Sequence, residues 1–487
     1  MPKKEWPEGQ PRIGVLVVAY NAESTLEPTL DRIPHDFRGR ISELIVADDA
    51  SGDDTYGVGK HWQSLNPLLP TTVVRHLENR GYGGNQKSGY QMAISRGLDI
   101  IVLLHADGQY APEILPEIVA PIVDGEADAV FGSRMMVPGS ARAGGMPLYK
   151  YVGNRILTAS ENRILGTSLS EFHSGYRAYS VAALAEIPFE ENTDDFDFDT
   201  QIIIQLVAAE KRIVEIPIPT YYGDEICYVD GVKYARNVMR DVVVYRTSQM
   251  GFGTQKWISH PHEYGLKSEE GSSHETILRL LGDMPPGKVL DVGCSGGLLG
   301  EKIRAMGHHV VGVDSYEEDG VRDRLDDFVR ADLEQGLPEV GDSYDVIIAA
   351  DVIEHVREPD RLLRDMATRL GAGGRLVVST PNFGHWYPRA RVATGTFDYD
   401  RRGILDETHL RFFSRRGLLR TFAAARLNVE SLDYTGLPLS VFREGDEKRS
   451  SRYLSKADRF LVDLRPTFFG YQFVAVLRPK NFESHTE

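Results

Sequence analysis

Asp48 and Asp49 follow the β-branched run Glu43–Ala47, and Asp107 follows Ile100–Leu104 with Gln109 two residues on. In an open α/β sheet, ligands bind outside the carboxyl ends of the strands. Carboxylates there accept hydrogen bonds from a base N–H or from ribose hydroxyls, and they ligate cations. A divalent cation neutralises a diphosphate and stabilises it as a leaving group. The pattern therefore suits a sugar nucleotide. A single aspartate of this kind reads more often as a helix cap or turn former. Three at successive strand ends weaken that plainer account.

A second constellation lies far downstream. Asp291-Val-Gly293-Cys-Ser-Gly296-Gly297 follows one predicted strand and precedes a helix, and Asp314 ends the next strand. Glycines permit a tight turn and close backbone approach to a ligand, and an acid at Asp314 is placed for ribose hydroxyls. A dinucleotide-binding turn shares this layout. D-V-G-C-S-G-G in place of G-x-G-x-x-G argues instead for an adenosyl cofactor, as do R-A-D-L-E at 330–334 and A-A-D-V-I-E-H-V at 349–356. Ser295 in this turn is disfavoured if the position demands positive φ.

The elements that must position these residues alternate. Ile13–Ala19, Glu43–Ala47, Thr72–His76 and Ile100–Leu104 read as strands, with helices over Ser24–Ile33, Lys87–Arg96 and Pro112–Val123. The same grammar restarts at Lys288–Asp291, His309–Val313, Val346–Ala349 and Arg375–Ser379. Such alternation predicts two parallel-type sheets with crossover helices, hence an α/β fold in two domains. Expected bounds are 10–250, an aperiodic linker at 251–272, and 273–480. Val232 to Tyr245 reads as a closing helix of the first domain. Its Arg236 and Arg240 leave a membrane-surface helix as the sharper alternative, which Asp230 and Asp241 weaken. Asn79 to Lys87 is glycine-rich ahead of a helix and can cradle phosphate, or can simply be a connection. Asp195, Asp197 and Asp199 alternate with Phe196 and Phe198, so an extended chain puts all three on one face. They are candidates for the general base that inverting transfer to a hydroxyl needs. His355 is a candidate for orienting or deprotonating an acceptor hydroxyl, as is His409, where a structural role is favoured.

Composition bounds the partners. The chain has 487 residues, a formal net charge of −16 and no Lys/Arg-rich run, which argues against nucleic acid. Two cysteines, Cys227 and Cys294, make no disulfide framework and fit a reducing cytoplasm. No apolar run reaches the ~20 residues of a membrane span, which leaves peripheral contact at the inner face of a membrane open. No Cys/His cluster has zinc spacing, so the second half needs no metal on sequence grounds.

The first half resembles family-two glycosyltransferases of GT-A fold, in the branch that looks like dolichyl-phosphate mannosyltransferase. The resemblance rests on V-V-A-Y-N at 17–21, A-D-D-A-S at 47–51, A-D-G-Q at 106–109, G-S-R at 132–134, H-S-G-Y-R-A-Y-S at 173–180 and D-D-F-D-F-D-T at 194–200. It implies that Tyr20 and Asn21 line the nucleotide and that Asp49 contacts the base with Asp48 beside it. Asp107 and Gln109 then bind Mg²⁺ or Mn²⁺, and Arg134 holds the donor diphosphate of a UDP- or GDP-hexose. Apart from the resemblance, Asp197 and Asp199 are the candidate catalytic carboxylates, and Arg177 is a candidate for holding an acceptor phosphate. Relatives usually have D-x-D where this chain reads His105-Ala106-Asp107. His105 is then either a ligand or a bystander, and the bystander reading is favoured because Asp107 and Gln109 keep two oxygen ligands. The second half, from about Ser273 to Arg478, resembles class I S-adenosylmethionine-dependent methyltransferases of the kind that includes ubiquinone-biosynthesis O-methyltransferases, with a Rossmann-like fold. By that resemblance Asp291, Gly293 and Gly297 surround the methionine part, Asp314 binds ribose, Asp332 and Leu333 meet adenine, and Asp351 closes the fourth strand.

The expected protein is a bifunctional enzyme whose acceptor is a glycan, a glycoside or a polyprenyl phosphate. The rivals are a polyprenyl-phosphate glycosyltransferase with a methyltransferase acting on the lipid-linked sugar, and a ligand-binding scaffold with one inactive half.

Overall fold

A computed structural model describes residues 9–219, 230–253, 255, 257–258, 271–400, 402–438 and 448–480. Cys227 and most of the expected linker lie outside them. The chain divides into two compact units, Met1–Arg246 with Lys256–Pro261, and Thr247–Gln255 with His262–Glu487. Trp257 and Ile258, inside the expected linker, are buried in the core of the first unit.

The first unit is built on β1 (Ile13–Ala19), β2 (Ile41–Asp48), β3 (Thr71–Arg75), β4 (Ile100–His105), β5 (Ala129–Ser133), β6 (Arg177–Ser180) and β7 (Ile213–Pro217), in the sheet order β3-β2-β1-β4-β6-β5-β7. β6 runs antiparallel between β4 and β5, and the other pairings are parallel. β1 is buried almost throughout because both faces of a central parallel strand are covered. Its alternate residues sort to opposite faces, Val15 and Val17 into one apolar cluster and Leu16 into the other. The register sets Ala19 beside Asp48 and Val18 beside His105. The carboxyl ends of three adjacent strands therefore form one edge.

Two local expectations are corrected here. The glycine-rich stretch is helical, since the helix begins at Gly81 and runs to Ser95. Its first turn docks on the chain at 193–194, with Gly83 N–H donating to the Asp194 carbonyl at 2.8 Å and Lys87 Nζ 2.7 Å from the Asp194 carboxylate. The Gly83 N–H and the Lys87 cation are thus engaged within the protein. Asp195, Asp197 and Asp199 are not on one face, because the helix Phe198–Ala208 starts inside the alternating stretch. A helical turn rotates the three carboxylates apart.

The helix Gly231–Gln249 buries Val238, Val242 and Tyr245, as a closing helix does.

The second unit holds β8 (Lys288–Val292), β9 (His309–Asp314), β10 (Asp327–Arg330), β11 (Tyr344–Ala350), β12 (Leu370–Pro381), β13 (Leu427–Tyr434) and β14 (Gln472–Pro479). The order is β10-β9-β8-β11-β12-β14-β13, with β14 antiparallel to both neighbours. Both units are thus α/β with mixed sheets, the first of GT-A type and the second of Rossmann-like methyltransferase type.

Candidate active sites

At the edge of the first sheet, the chain leaves β1 through Tyr20, whose ring is 46% exposed. Asn21 takes φ +50°, and its Oδ1 accepts from Gly52 N at 2.9 Å, tying this turn to the one after β2. Asp49 N–H donates to the Ala19 carbonyl at 2.9 Å, and its carboxylate accepts from Arg80 N–H at 2.8 Å. Burial pushes the Asp49 carboxyl up, against the backbone donors from Arg80 and Gly81. Asp107 is half-buried just beyond β4, where its Oδ1 accepts from Gln109 N–H at 3.0 Å. The structure thus gathers Tyr20, Asn21, Asp49, Asp107 and Gln109 on neighbouring loops.

Asp48 faces away. It is fully buried, accepts from Ser51 N–H at 3.1 Å and from the Ser51 hydroxyl, and pairs with Arg75 at 3.3 Å. Its carboxylate builds the turn and contacts no ligand space, which corrects its expected place beside the base. Arg177 is corrected too. It is 1% exposed, and its guanidinium donates to the carbonyls of Ser174 (2.8 Å), Asp199 (3.0 Å) and Phe172 (2.7 Å). An arginine so engaged holds the loop before β6 in place and does not reach an acceptor phosphate. Arg177→Met would strand those carbonyls and leave Asp199, 3.7 Å away, uncompensated. The expected cost is about 3–5 kcal/mol, read as a lower urea midpoint for the first unit. A midpoint equal to wild type would contradict this structural role.

Beside Asp107, the His105 ring lies edge-on to Tyr82 and Tyr110, with centroids 5.6 and 5.0 Å apart. Burial pushes His105 toward its neutral form. A Cβ on Gly175 would fall 2.7 Å from the His105 ring, so only glycine allows this approach. Tyr82 donates to Asp199 at 2.9 Å. Asp197 is buried and faces another way, with Asn237 at 3.3 Å and Arg240 at 3.5 Å. Arg134 is tied to Glu171, which accepts from its backbone N–H at 2.7 Å and from its Nε at 3.0 Å. Sequence reasoning missed Tyr82, Glu171 and the buried pair His173–Glu161 at 3.1 Å. His173 and Asp199 lie in matched motifs, but nothing local to the sequence pairs them with positions 161 and 82.

Leading away from Arg134 is a surface with its own character. No acidic residue occurs between Asp128 and Glu161, while Arg134, Arg142, Lys150 and Arg155 are basic. The helix Leu148–Leu165 exposes Leu148 (62%), Tyr149 (74%), Val152 (45%) and Ile156 (61%) along one face. No helix among the described residues is long and apolar enough to cross a membrane.

In the second unit, Gly293 follows β8 at φ +74°, and its N–H donates to the Val313 carbonyl at 2.7 Å. Gly297, at φ +76°, caps the next helix. Ser295 does occupy the left-handed region, at φ +46°. Its N–H donates to Asp314 at 2.8 Å and its hydroxyl to Glu318 at 2.7 Å, bonds that offset the strain. A small, partly open pocket is lined by Asp291, Gly293, Gly296 and Ala350, with His274, Cys294, Leu298 and Leu299. Asp291 is buried and its Oδ2 has no hydrogen-bond partner among the described residues. Burial, and then the charge of Asp314, push its carboxyl up to about 7. In the unfolded chain the group titrates near 3.8. The ligand-free protein therefore has the full benefit of the protonated acid below about pH 4 and loses it as pH rises to about 7. Urea unfolding at pH 5 and pH 8 should show that fall, and Asp291→Asn should flatten it. An unchanged slope in the variant would contradict the assignment.

Asp332 is exposed at the end of β10 and caps the turn through Glu334 N–H at 3.0 Å, with Leu333 half-buried behind it. Asp351 is held after β11 by Gln472, 2.9 Å from each carboxylate oxygen, and by the Ser379 hydroxyl at 2.9 Å. Anchored in this way, it shapes the loop that carries His355. His355 is half-buried, with Nδ1 3.3 Å from the Thr408 carbonyl.

Residues 14–187 match the model of glycosyl transferase family 2, and residues 269–432 match that of a methyltransferase domain. A UDP-N-acetylglucosamine–dolichyl-phosphate N-acetylglucosaminyltransferase of Methanococcus voltae is 28% identical over 222 residues, 44% of this chain and 86% of that protein. An undecaprenyl-phosphate mannosyltransferase of Micrococcus luteus is 30% identical over 211 residues, 42% of this chain and 82% of that protein. A ubiquinone biosynthesis O-methyltransferase of Aeromonas salmonicida is 30% identical over 163 residues, 30% of this chain and 64% of that protein. Among solved structures, the glucosyl-3-phosphoglycerate synthase of Mycobacterium tuberculosis with UDP is 20% identical, with a TM-score of 0.36, over 48% of this chain and 79% of that one. The chain is an enzyme that belongs, through its first half, to glycosyl transferase family 2, and its second half is a methyltransferase domain.

Proposed function

We propose that residues 10–250 transfer a hexose, with inversion, from a UDP- or GDP-sugar to a polyprenyl phosphate at a membrane surface. Further along the chain, residues 273–480 transfer a methyl group from S-adenosylmethionine to an oxygen of the lipid-linked sugar. The observation that carries this reading is the exposed apolar face of the helix Leu148–Leu165 in an acid-free, basic stretch of an otherwise acidic chain. Apolar burial at the headgroup boundary and attraction to anionic lipid act together on such a face. Both polyprenyl-phosphate transferases named above are similar to this half.

The engaged aspartates support the same acceptor. Asp199 is bonded by Tyr82, and Asp197 is buried beside Arg240. Neither is placed as an open general base, and a phosphate acceptor, already ionised, needs none. On the donor side, Tyr20 offers a ring to the base and Asp49 accepts from it. The Asp107 carboxylate and the Gln109 carboxamide form an all-oxygen donor pair, which suits Mg²⁺ or Mn²⁺ completed by diphosphate and water. That cation neutralises the departing diphosphate.

In the second domain, the unpartnered Asp291 oxygen on the glycine-lined cavity fits the ammonium of S-adenosylmethionine, which supplies the methyl group. Asp314 faces ribose and Asp332 adenine.

The test supplies radiolabelled UDP- and GDP-sugars with undecaprenyl phosphate in vesicles containing anionic lipid. Label is expected in the organic phase, with a marked loss in Val152→Glu/Ile156→Glu. Label released only to water, or unaffected by the double variant, would overturn the membrane acceptor.

A further inference from the structure

The helix Leu148–Leu165 reverses the usual sidedness of a surface helix. It exposes Leu148, Tyr149, Val152 and Ile156, and it buries Asn154, Thr158, Glu161 and Leu165. Helical spacing puts the buried residues on one face, and most of that face is polar. A buried polar stripe destabilises a fold unless its members find partners. Here two of them reach the segment 171–173, ahead of β6. Asn154 Nδ2 donates to Glu171 Oε1 at 2.7 Å, and the Thr158 hydroxyl donates to Asn154 Oδ1 at 3.3 Å. Two turns further along, Glu161 Oε2 lies 3.1 Å from His173 Nε2, a buried acid–base contact outside hydrogen-bond alignment. Glu161 Oε1 accepts from the Thr200 hydroxyl at 3.4 Å. The His173 ring is met from its other side by Tyr234, whose hydroxyl is 2.9 Å from Nδ1.

Glu171 and His173 are in turn the supports of Arg134. Glu171 accepts from the Arg134 backbone N–H and from Nε, and the His173 carbonyl accepts from Nη2 at 2.8 Å. That carbonyl moves with the residue whose ring sits between Glu161 and Tyr234. Both supports of the guanidinium are therefore held by the buried face of one helix. An arginine fixed at Nε and Nη2 has its fork set before a ligand arrives, which lowers the ordering cost of binding.

We propose that Glu161 and His173 are positioning residues for sugar transfer, which set the Arg134 guanidinium toward the donor diphosphate. Neither touches the donor. The role rests on the donor-site reading, in which Arg134 meets the diphosphate. It gives the inner side of the helix a use separate from that of the outer, apolar side.

The test measures binding of UDP and GDP to the full chain in Mn²⁺ by calorimetry, and carries through the variants the nucleotide that wild type binds. Arg134→Gln is expected to weaken binding about 30-fold, and Glu161→Gln, which keeps the shape and removes an acidic oxygen, about 10-fold. In the Arg134→Gln background, Glu161→Gln should add less than about twofold, because it acts through the arginine. Tyr234→Phe, a milder change that releases the ring from its other side, should weaken binding about threefold. Affinity for the bare nucleoside, followed by saturation-transfer NMR, should be unchanged in every variant, which a merely loosened fold would not allow. The positioning role is overturned if Glu161→Gln binds the diphosphate as wild type does, if its loss simply adds to that of Arg134→Gln, or if nucleoside affinity falls in parallel. Wild-type binding by Arg134→Gln, or no binding of either nucleotide to wild type, would instead overturn the donor-site reading and this role with it.

Discussion

Asp107→Ala lowers sugar transfer by about 10³-fold and leaves methyl transfer within about twofold of wild type. The carboxylate stands just past β4, on the edge that also carries Tyr20 and Asp49. In the proposed site it is the acidic member of the cation donor pair, and the cation's charge on the diphosphate would be needed most as the sugar–oxygen bond breaks. Its loss should therefore fall mainly on kcat. Asp107→Asn keeps an oxygen for the loop bond from Gln109 N–H and for a cation but loses the negative charge, so it should lie between the two. Because Asp107 is half-buried on a turn, the alanine variant should melt close to wild type. Parallel assays of both transfers on one preparation check this. Loss of both activities in a folded variant would mean that the two halves do not work independently.

Gly293→Val abolishes S-adenosylmethionine binding, by more than about 100-fold, and spares sugar transfer. Two physical costs coincide. The residue sits at φ +74°, which a β-branched side chain rarely adopts. An added Cβ would lie 2.5 Å from Val352 Cγ2, so the turn must move. A displaced turn no longer presents its backbone to the cofactor beside Asp291. Gly293→Ala carries the same clash without branching and should lose less. Calorimetry with S-adenosylmethionine measures both, and wild-type affinity in the valine variant would contradict the site.

What could be read from sequence was whatever short-range pattern determines. The unbroken apolar run of β1, the acids at strand ends and the glycine turn after β8 all have local signatures. Asp48 and Asp49 show the limit. They are adjacent at a strand end, where successive side chains point to opposite sides, and nothing in A-D-D-A-S says which one faces inward. Arg177 has the composition of a ligand-binding residue. Its burial follows from the insertion of β6 antiparallel between β4 and β5, a pairing that R-A-Y-S does not announce. The run D-D-F-D-F-D was legible as period two, but a helix starting at Phe198 overrides that pattern. Glu354 and His409 are 55 residues apart, and no local pattern announces that Leu410 and Arg411 N–H bond the Glu354 carbonyl in the turn beyond β11.

The most direct measurement is a calorimetric titration of one preparation with a nucleoside diphosphate in Mn²⁺ and with S-adenosylmethionine. Two separate one-to-one isotherms are predicted, the first weakened only by Asp107→Ala and the second only by Gly293→Val. Failure of either ligand to bind the wild-type chain, or one variant erasing both isotherms, would contradict a chain built around two distinct transfer sites.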